Sequence, residues 1–256
     1  MTSHDSLVDL LQSRAAELGS EPVFRFLHDA EGGFSELTYA QLDQQAKAVA
    51  VRLLEMGLAQ KPVLLVYPPG LDYIGAFWGC LYAGAIAVPI YRPHLNRPAA
   101  RYYNVVKQAQ PAAYLSNQAS IDKINSRSEK FPILTKLPSV ATDRLGAEAD
   151  VAWQPPSPKT ANLAFLQFTS GSTQDPKGVM VSHGNLMSNA KALWPILQTV
   201  TQKAKQNGVQ FAGCFWLPIY HDMGLLGGIV QTVVMGEASI LMSPTTFLQK
   251  PLFWLQ

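Results

Sequence analysis

Short apolar runs bounded by turn residues alternate with longer amphipathic patterns, and this alternation limits the fold more than any other feature. Val63–Tyr67, Ala85–Val88, Ala112–Leu115, Asn162–Phe168, Gly178–Ser182, Phe211–Trp216 and Ala238–Met242 read as strands. Helical patterns separate them: Thr38 to Gly57, Leu71–Ala83, Pro98–Gln110, Gln118–Lys130, Asn185–Lys205 and Asp222–Met235. Ahead of these, Ser6–Leu18 is an amphipathic helix stopped by Gly19, and Pro22–Leu27 with Phe34–Leu37 reads as a hairpin. Thr38 stands where an N-cap would open the long helix. Strands that are apolar throughout, separated by helices, must be covered on both faces. The expectation is therefore an α/β fold with a layered, mostly parallel sheet flanked by helices.

Composition excludes several other classes. A 48% hydrophobic share with 15% charged residues is that of a globular chain rather than a disordered one. Twenty basic against 18 acidic residues gives a net charge of +2, which offers no electrostatic footprint for nucleic acid. The uncharged run Tyr73–Tyr91 approaches the ~20 residues of a membrane span. Gly84 and Pro89 interrupt it, so it reads as a packed helix, a turn and a buried strand, with no transmembrane segment. Met1–Asp5 lacks the basic-then-apolar pattern of a signal peptide, and Cys80 and Cys214 each sit in an apolar run as reduced thiols would. A cytoplasmic location is the expectation. Residues 137–160, with Gln154–Pro158, break the periodicity and read as a surface connector.

Two segments carry chemistry. In Leu166–Ser182, a strand runs into Thr169, Ser170, Gly171, Ser172 and Thr173, and Lys177 opens the next strand. Backbone N–H groups in such a turn can nest an anion, hydroxyls can donate to its oxygens, and lysine supplies charge. The same composition also suits a polar surface hairpin. It is not a Walker A loop, because Pro176 occupies the position of that motif's second glycine. The second segment, Trp216–Gly227, leaves a strand and opens a helix. Asp222 suits the positive end of a helix dipole, His221 could cap, and no further histidine or carboxylate stands at metal-ligand spacing. Alternatively His221 faces a ligand, with the aromatic strand end and the glycines leaving room for an apolar group. His94, in a basic loop, reads as surface, and His183 as a residue that helps start a helix.

Phe168–Gly178 (Phe-Thr-Ser-Gly-Ser-Thr-x-x-Pro-Lys-Gly) resembles the signature loop of the acyl-adenylate-forming superfamily, which includes acyl-CoA synthetases, peptide-synthetase adenylation domains and luciferases. Gln174 stands where many members carry glycine. Trp216–Gly227 resembles that superfamily's fourth core motif, and its Tyr220-His-Asp-Met-Gly224 is similar to the form in fatty acyl-AMP ligases; Tyr67–Pro89 and Leu37–Leu42 are similar to the same subfamily. The resemblance implies activation of a fatty acid by ATP with Mg²⁺. Pyrophosphate is released, and the acyl-adenylate passes to an acyl carrier protein's phosphopantetheine arm. It further implies that Thr169, Ser170, Gly171, Ser172, Thr173 and Lys177 hold the phosphates. His221 would orient the carboxylate, and Trp216, Tyr220, Asp222, Met223 and Gly224 would line the acyl side. No residue is implicated as a metal ligand. By the same resemblance, residues 1–256 correspond to the leading part of a large N-terminal AMP-binding domain. A later subdomain and a C-terminal domain lie outside it, so turnover by these residues alone is not expected. An acyl-CoA synthetase, an amino-acid adenylation domain and a non-catalytic nucleotide or acyl-adenylate module are the alternatives. Preference for a carrier protein over coenzyme A is carried by the resemblance alone.

Overall fold

The computed structural model describes residues 4, 6–28, 32–91, 100–146, 153, 159–169 and 176–255. They divide into two compact units. The first holds Met1–Asp43, Pro69–Leu71 and Gly184–Gln256, the second Gln44–Pro68 and Asp72–His183.

The first unit opens with α1 (Leu7–Glu17), whose Ser6 hydroxyl accepts from the Asp9 N–H and satisfies one of the donors a helix start leaves open. Next come β1 (Pro22–Leu27), β2 (Phe34–Thr38) and the start of α2 (Tyr39–Glu55). Thr38 and Gln41 form a reciprocal cap. The Gln41 N–H donates to Thr38 Oγ1 at 3.3 Å, and the Thr38 N–H donates to Gln41 Oε1 at 2.9 Å.

In the second unit α2 is followed by β3 (Pro62–Leu65), α3 (Leu71–Ala83), β4 (Ile86–Pro89), α4 (Ala100–Ala109), β5 (Ala113–Ser116), α5 (Gln118–Asn125), β6 (Ser139–Ala141), β7 (Leu163–Thr169) and β8 (Lys177–Ser182). The chain then returns to the first unit along α6 (His183–Gln206), β9 (Ala212–Phe215), a π-helix (Met223–Val230), α7 (Gln231–Met235), β10 (Ala238–Met242), α8 (Pro244–Gln249) and a 3₁₀ turn (Pro251–Leu255).

Each unit is built on its own sheet. The first has order β2-β1-β10-β9, with β1–β10 and β10–β9 parallel and β1–β2 antiparallel. The second has order β6-β5-β3-β4-β7-β8, parallel except for the final β7–β8 pair. The α/β class and the dominance of parallel pairing match the sequence expectation, but two sheets share the strands expected in one. In the second unit β3, β4 and β5 are almost wholly buried, as strands covered on both faces must be. Every residue of α3 from Tyr73 to Ala83 is buried, which explains why it is apolar all round. Gly79 is what lets α2 lie against it, because a Cβ there would fall 2.4 Å from the Val49 side chain.

Three further expectations change. The helix expected over 118–130 ends at Asn125: the N–H of Ser126 turns back to Asp122 and its hydroxyl bonds the Lys123 carbonyl. Within the expected connector, β6 pairs with β5 and a 3₁₀ turn forms at Thr142–Arg144; elements of three residues are too short to show a period. The rest of that connector, at 147–152 and 154–158, lies outside the described residues, as does the basic loop with His94. The helix expected over 222–235 is helical, but its first part is a π-helix.

Candidate active site

The hydroxyl-rich loop is anchored by the β7–β8 hairpin. Phe168 pairs with Gly178 and Thr169 with Lys177, so both ends of the loop meet on one rung of an antiparallel ladder. The Phe168 ring covers Gly178, where a Cβ would lie 3.0 Å from it. Pro176 is buried and Lys177 is exposed. Ser170, Gly171, Ser172 and Thr173 lie outside the described residues, and Thr169 is described as the last backbone position of β7. At the far end of the hairpin His183 is the first residue of α6, and its N–H bonds the Asn162 carbonyl at 3.0 Å. The side chain is buried with no partner on either ring nitrogen, and burial alone pulls its pKa down to about 4.

The second motif lies wholly in the first unit. After β9 the chain turns at Pro218: the His221 N–H reaches the Pro218 carbonyl at 2.9 Å, and the Leu225 N–H reaches that of His221 at 2.8 Å. Gly224 sits directly against this turn. A Cβ there would lie 2.2 Å from the Pro218 carbonyl oxygen, so only glycine fits. The π-helix begins here, a form that recurs at functional sites. Asp222 Oδ1 accepts the Met223 N–H at 2.7 Å and lies 2.5 Å from His221 Nδ1. His221, Asp222 and Met223 are exposed, Tyr220 is half-buried and Gly224 is buried.

Trp216 is held by residues that no sequence motif marks. Its ring stacks on Phe247 at 4.2 Å and 5°, and Phe247 in turn meets Trp254 edge-on. The Trp254 indole N–H donates to the Cys214 carbonyl at 3.0 Å. The sequence signal for this cluster is the apolar tail Pro244–Gln256, which carries helical promise without a stop signal. Trp216, Tyr220, His221, Asp222, Met223 and Gly224 are thus brought into one turn and its flanks, whereas Lys177 belongs to the second unit. Among the described residues no group of three or more His, Cys, Asp or Glu gathers as a metal site. Likewise, no helix among them is long and apolar enough to cross a membrane.

Comparisons with known proteins cover almost the whole chain. Residues 11–256 match the family described as AMP-binding enzyme. The medium-chain-fatty-acid–[acyl-carrier-protein] ligase JamA of Moorena producens is 32% identical over 98% of this chain and 42% of its own length. The long-chain-fatty-acid–AMP ligase FadD32 of Mycolicibacterium smegmatis is 30% identical over 98% of this chain and 39% of its own. The fatty acyl-adenylate ligase from L. pneumophila, solved with acyl adenylate and pyrophosphate, superposes with a TM-score of 0.85 at 38% identity, covering 99% of this chain and 42% of that one. The chain therefore spans about two fifths of the length of these relatives. With the family matching nearly end to end, the chain belongs to the AMP-binding enzymes.

Proposed function

We propose that the protein, as part of a whole of its relatives' length, activates a fatty acid with ATP to the acyl-adenylate and releases pyrophosphate. The acyl group would then pass to an acyl carrier protein, as the name of the M. producens relative suggests. Support comes from the L. pneumophila ligase, solved with an acyl adenylate and pyrophosphate, at 38% identity across this chain. The observation that supports the reading is the Thr169–Lys177 backbone pairing, which brings together the two ends of the segment whose sequence carries the hydroxyls and glycine.

In this reading the fatty carboxylate attacks the α-phosphorus and pyrophosphate leaves. The protein contributes position and charge rather than a covalent intermediate. Thr169, Ser170, Gly171, Ser172, Thr173 and Lys177 cradle the β- and γ-phosphates. His221 orients the carboxylate, while Trp216, Tyr220, Met223 and Gly224 flank the acyl entrance. Mg²⁺ arrives with the nucleotide's own phosphates, and none of the described residues is assigned to it.

Lys177→Ala tests the assignment. Losing one charged contact to developing phosphoryl charge costs roughly 2–4 kcal/mol, by analogy with oxyanion-hole donors. Fatty-acid-dependent ATP–pyrophosphate exchange in the relative-length protein should fall by the corresponding factor. Unchanged exchange in a folded Lys177→Ala protein would remove the lysine from the mechanism.

A further inference from the structure

One helix of the first unit carries apolar residues on two sides. Along α6, Leu186, Met187 and Ala190 are buried, as the inner face of a packed helix must be. Leu193, Ile196 and Val200 are not: they are 37%, 65% and 49% exposed. Spaced three and four apart, they lie on one side of the helix and form an aliphatic stripe, bordered by the half-buried Leu197. Single apolar residues scattered over a surface need no explanation, but a row of them does.

Charge on the same helix is one-sided. The 24 residues His183–Gln206 contain Lys191, Lys203 and Lys205 and neither Asp nor Glu. Lys205 is paired with Glu237 at 2.7 Å. Lys191 and Lys203 are exposed, and Lys203 stands three positions after Val200, at the end of the stripe. The chain's net charge of +2 hides this local asymmetry.

We propose that this face of α6 docks on an anionic lipid surface, with Leu193, Ile196 and Val200 entering the boundary between headgroups and acyl chains and Lys191 and Lys203 meeting the acidic headgroups. Aliphatic residues on one side of a helix, with lysines as its only charges, are the pattern of a helix that lies in the plane of a membrane. Lysine suits the position, because its stem can lie along apolar surface while its ammonium reaches the headgroups. The composition favours lipid over a protein partner. Protein interfaces draw their energy from Trp, Tyr and Arg and are depleted in Lys, whereas this stripe offers Leu, Ile and Val beside lysines. Docking of this kind rests on the bilayer and requires no helix that crosses it. The stripe shares no residue with the groups assigned to the reaction, so this proposal and the proposed function can fail separately.

Cosedimentation with vesicles tests it, on the protein at its relatives' length, so that anything covering α6 in the whole molecule is in place. Wild type should pellet with vesicles of phosphatidylcholine mixed with phosphatidylserine and much less with phosphatidylcholine alone. Binding should weaken towards 1 M salt, where the screening length falls to about 3 Å. Ile196→Gln combined with Val200→Gln should lower the affinity about tenfold, the scale of keeping two partly exposed aliphatic side chains out of apolar contact. Lys191→Gln combined with Lys203→Gln should remove the preference for the mixed vesicles. All four side chains are exposed, so both variants should keep the wild-type urea midpoint, which reports that they fold. No binding to the mixed vesicles, equal binding to both kinds, or wild-type affinity in a folded Ile196→Gln, Val200→Gln protein overturns the inference. Sedimentation without lipid examines the other occupant. A larger species that the same double substitution dissociates would make the stripe an interface between copies, and would overturn the inference too.

Discussion

A buried histidine with no hydrogen-bond partner makes stability depend on pH in a predictable direction. His183 is 2% exposed, both its ring nitrogens are unpartnered, and it takes up a proton only near pH 4. An unfolded histidine takes one near 6.5. Between those values the unfolded chain binds more protons than the folded one, so stability is complete above pH 6.5 and is lost as pH falls towards 4. At pH 5 the loss from this residue is roughly 2 kcal/mol. His183→Leu removes the titration and breaks no hydrogen bond, so its urea midpoint should fall less than that of wild type between pH 7 and pH 5. Equal falls would assign the acid sensitivity to the carboxylates instead. The sequence placed this residue at a helix start, which holds. Its burial was not legible, because polar neighbours on both sides, Ser182 and Asn185, conceal which way the ring turns.

At the scale of elements, legibility follows how local the cause is. The Thr38 cap and the strand Ala238–Met242 were readable because each is written within a few adjacent residues. The π-helix was not. Apolar periodicity marks a helix but not its winding, and the close approaches of this helix are to residues earlier in the chain. Gly224 has no room for a Cβ against the Pro218 carbonyl, and Gly228 faces the Phe215 ring with a Cβ position 3.3 Å from it. Gly224→Ala therefore has to push main chain, and overpacking of that kind costs typically 1–3 kcal/mol. The expected result is a lower urea midpoint with an unchanged slope, together with shifted amide resonances through Met223–Val230. A variant as stable as wild type would mean that this turn yields easily and that glycine is there for another reason. The candidate site divides in the same way. The two strands that flank the loop before Lys177 and the strand-to-helix passage that carries His221 are local and were both read, whereas Phe247 and Trp254 follow β10 in an apolar tail whose packing partners are not written in adjacent residues.

The division of the strands between two sheets was the least legible feature of the whole molecule, and β10 explains why. It pairs in parallel with β1, more than two hundred residues earlier, and with β9 on its other side. Patterns within a window of ten or twenty residues say that β10 is a buried strand but not which neighbours it has. Its position makes a decisive test of the two-unit architecture. Ile240 lies opposite Arg25 on one side and Cys214 on the other, so β10 is flanked on both edges at that point. Proline has no N–H, and in a doubly flanked strand a rung is lost whichever way that N–H pointed. Ile240→Pro should therefore open the first sheet, with amides of β1, β9 and β10 losing hydrogen-exchange protection. Amides of β3, β4 and β5, built on a separate sheet with its own buried strands, should keep theirs. If protection instead falls uniformly across both sheets, the chain unfolds as one cooperative body and the units are divisions of geometry alone. Retained protection in β3–β5 beside a lost β1 would show that each sheet carries its own stability.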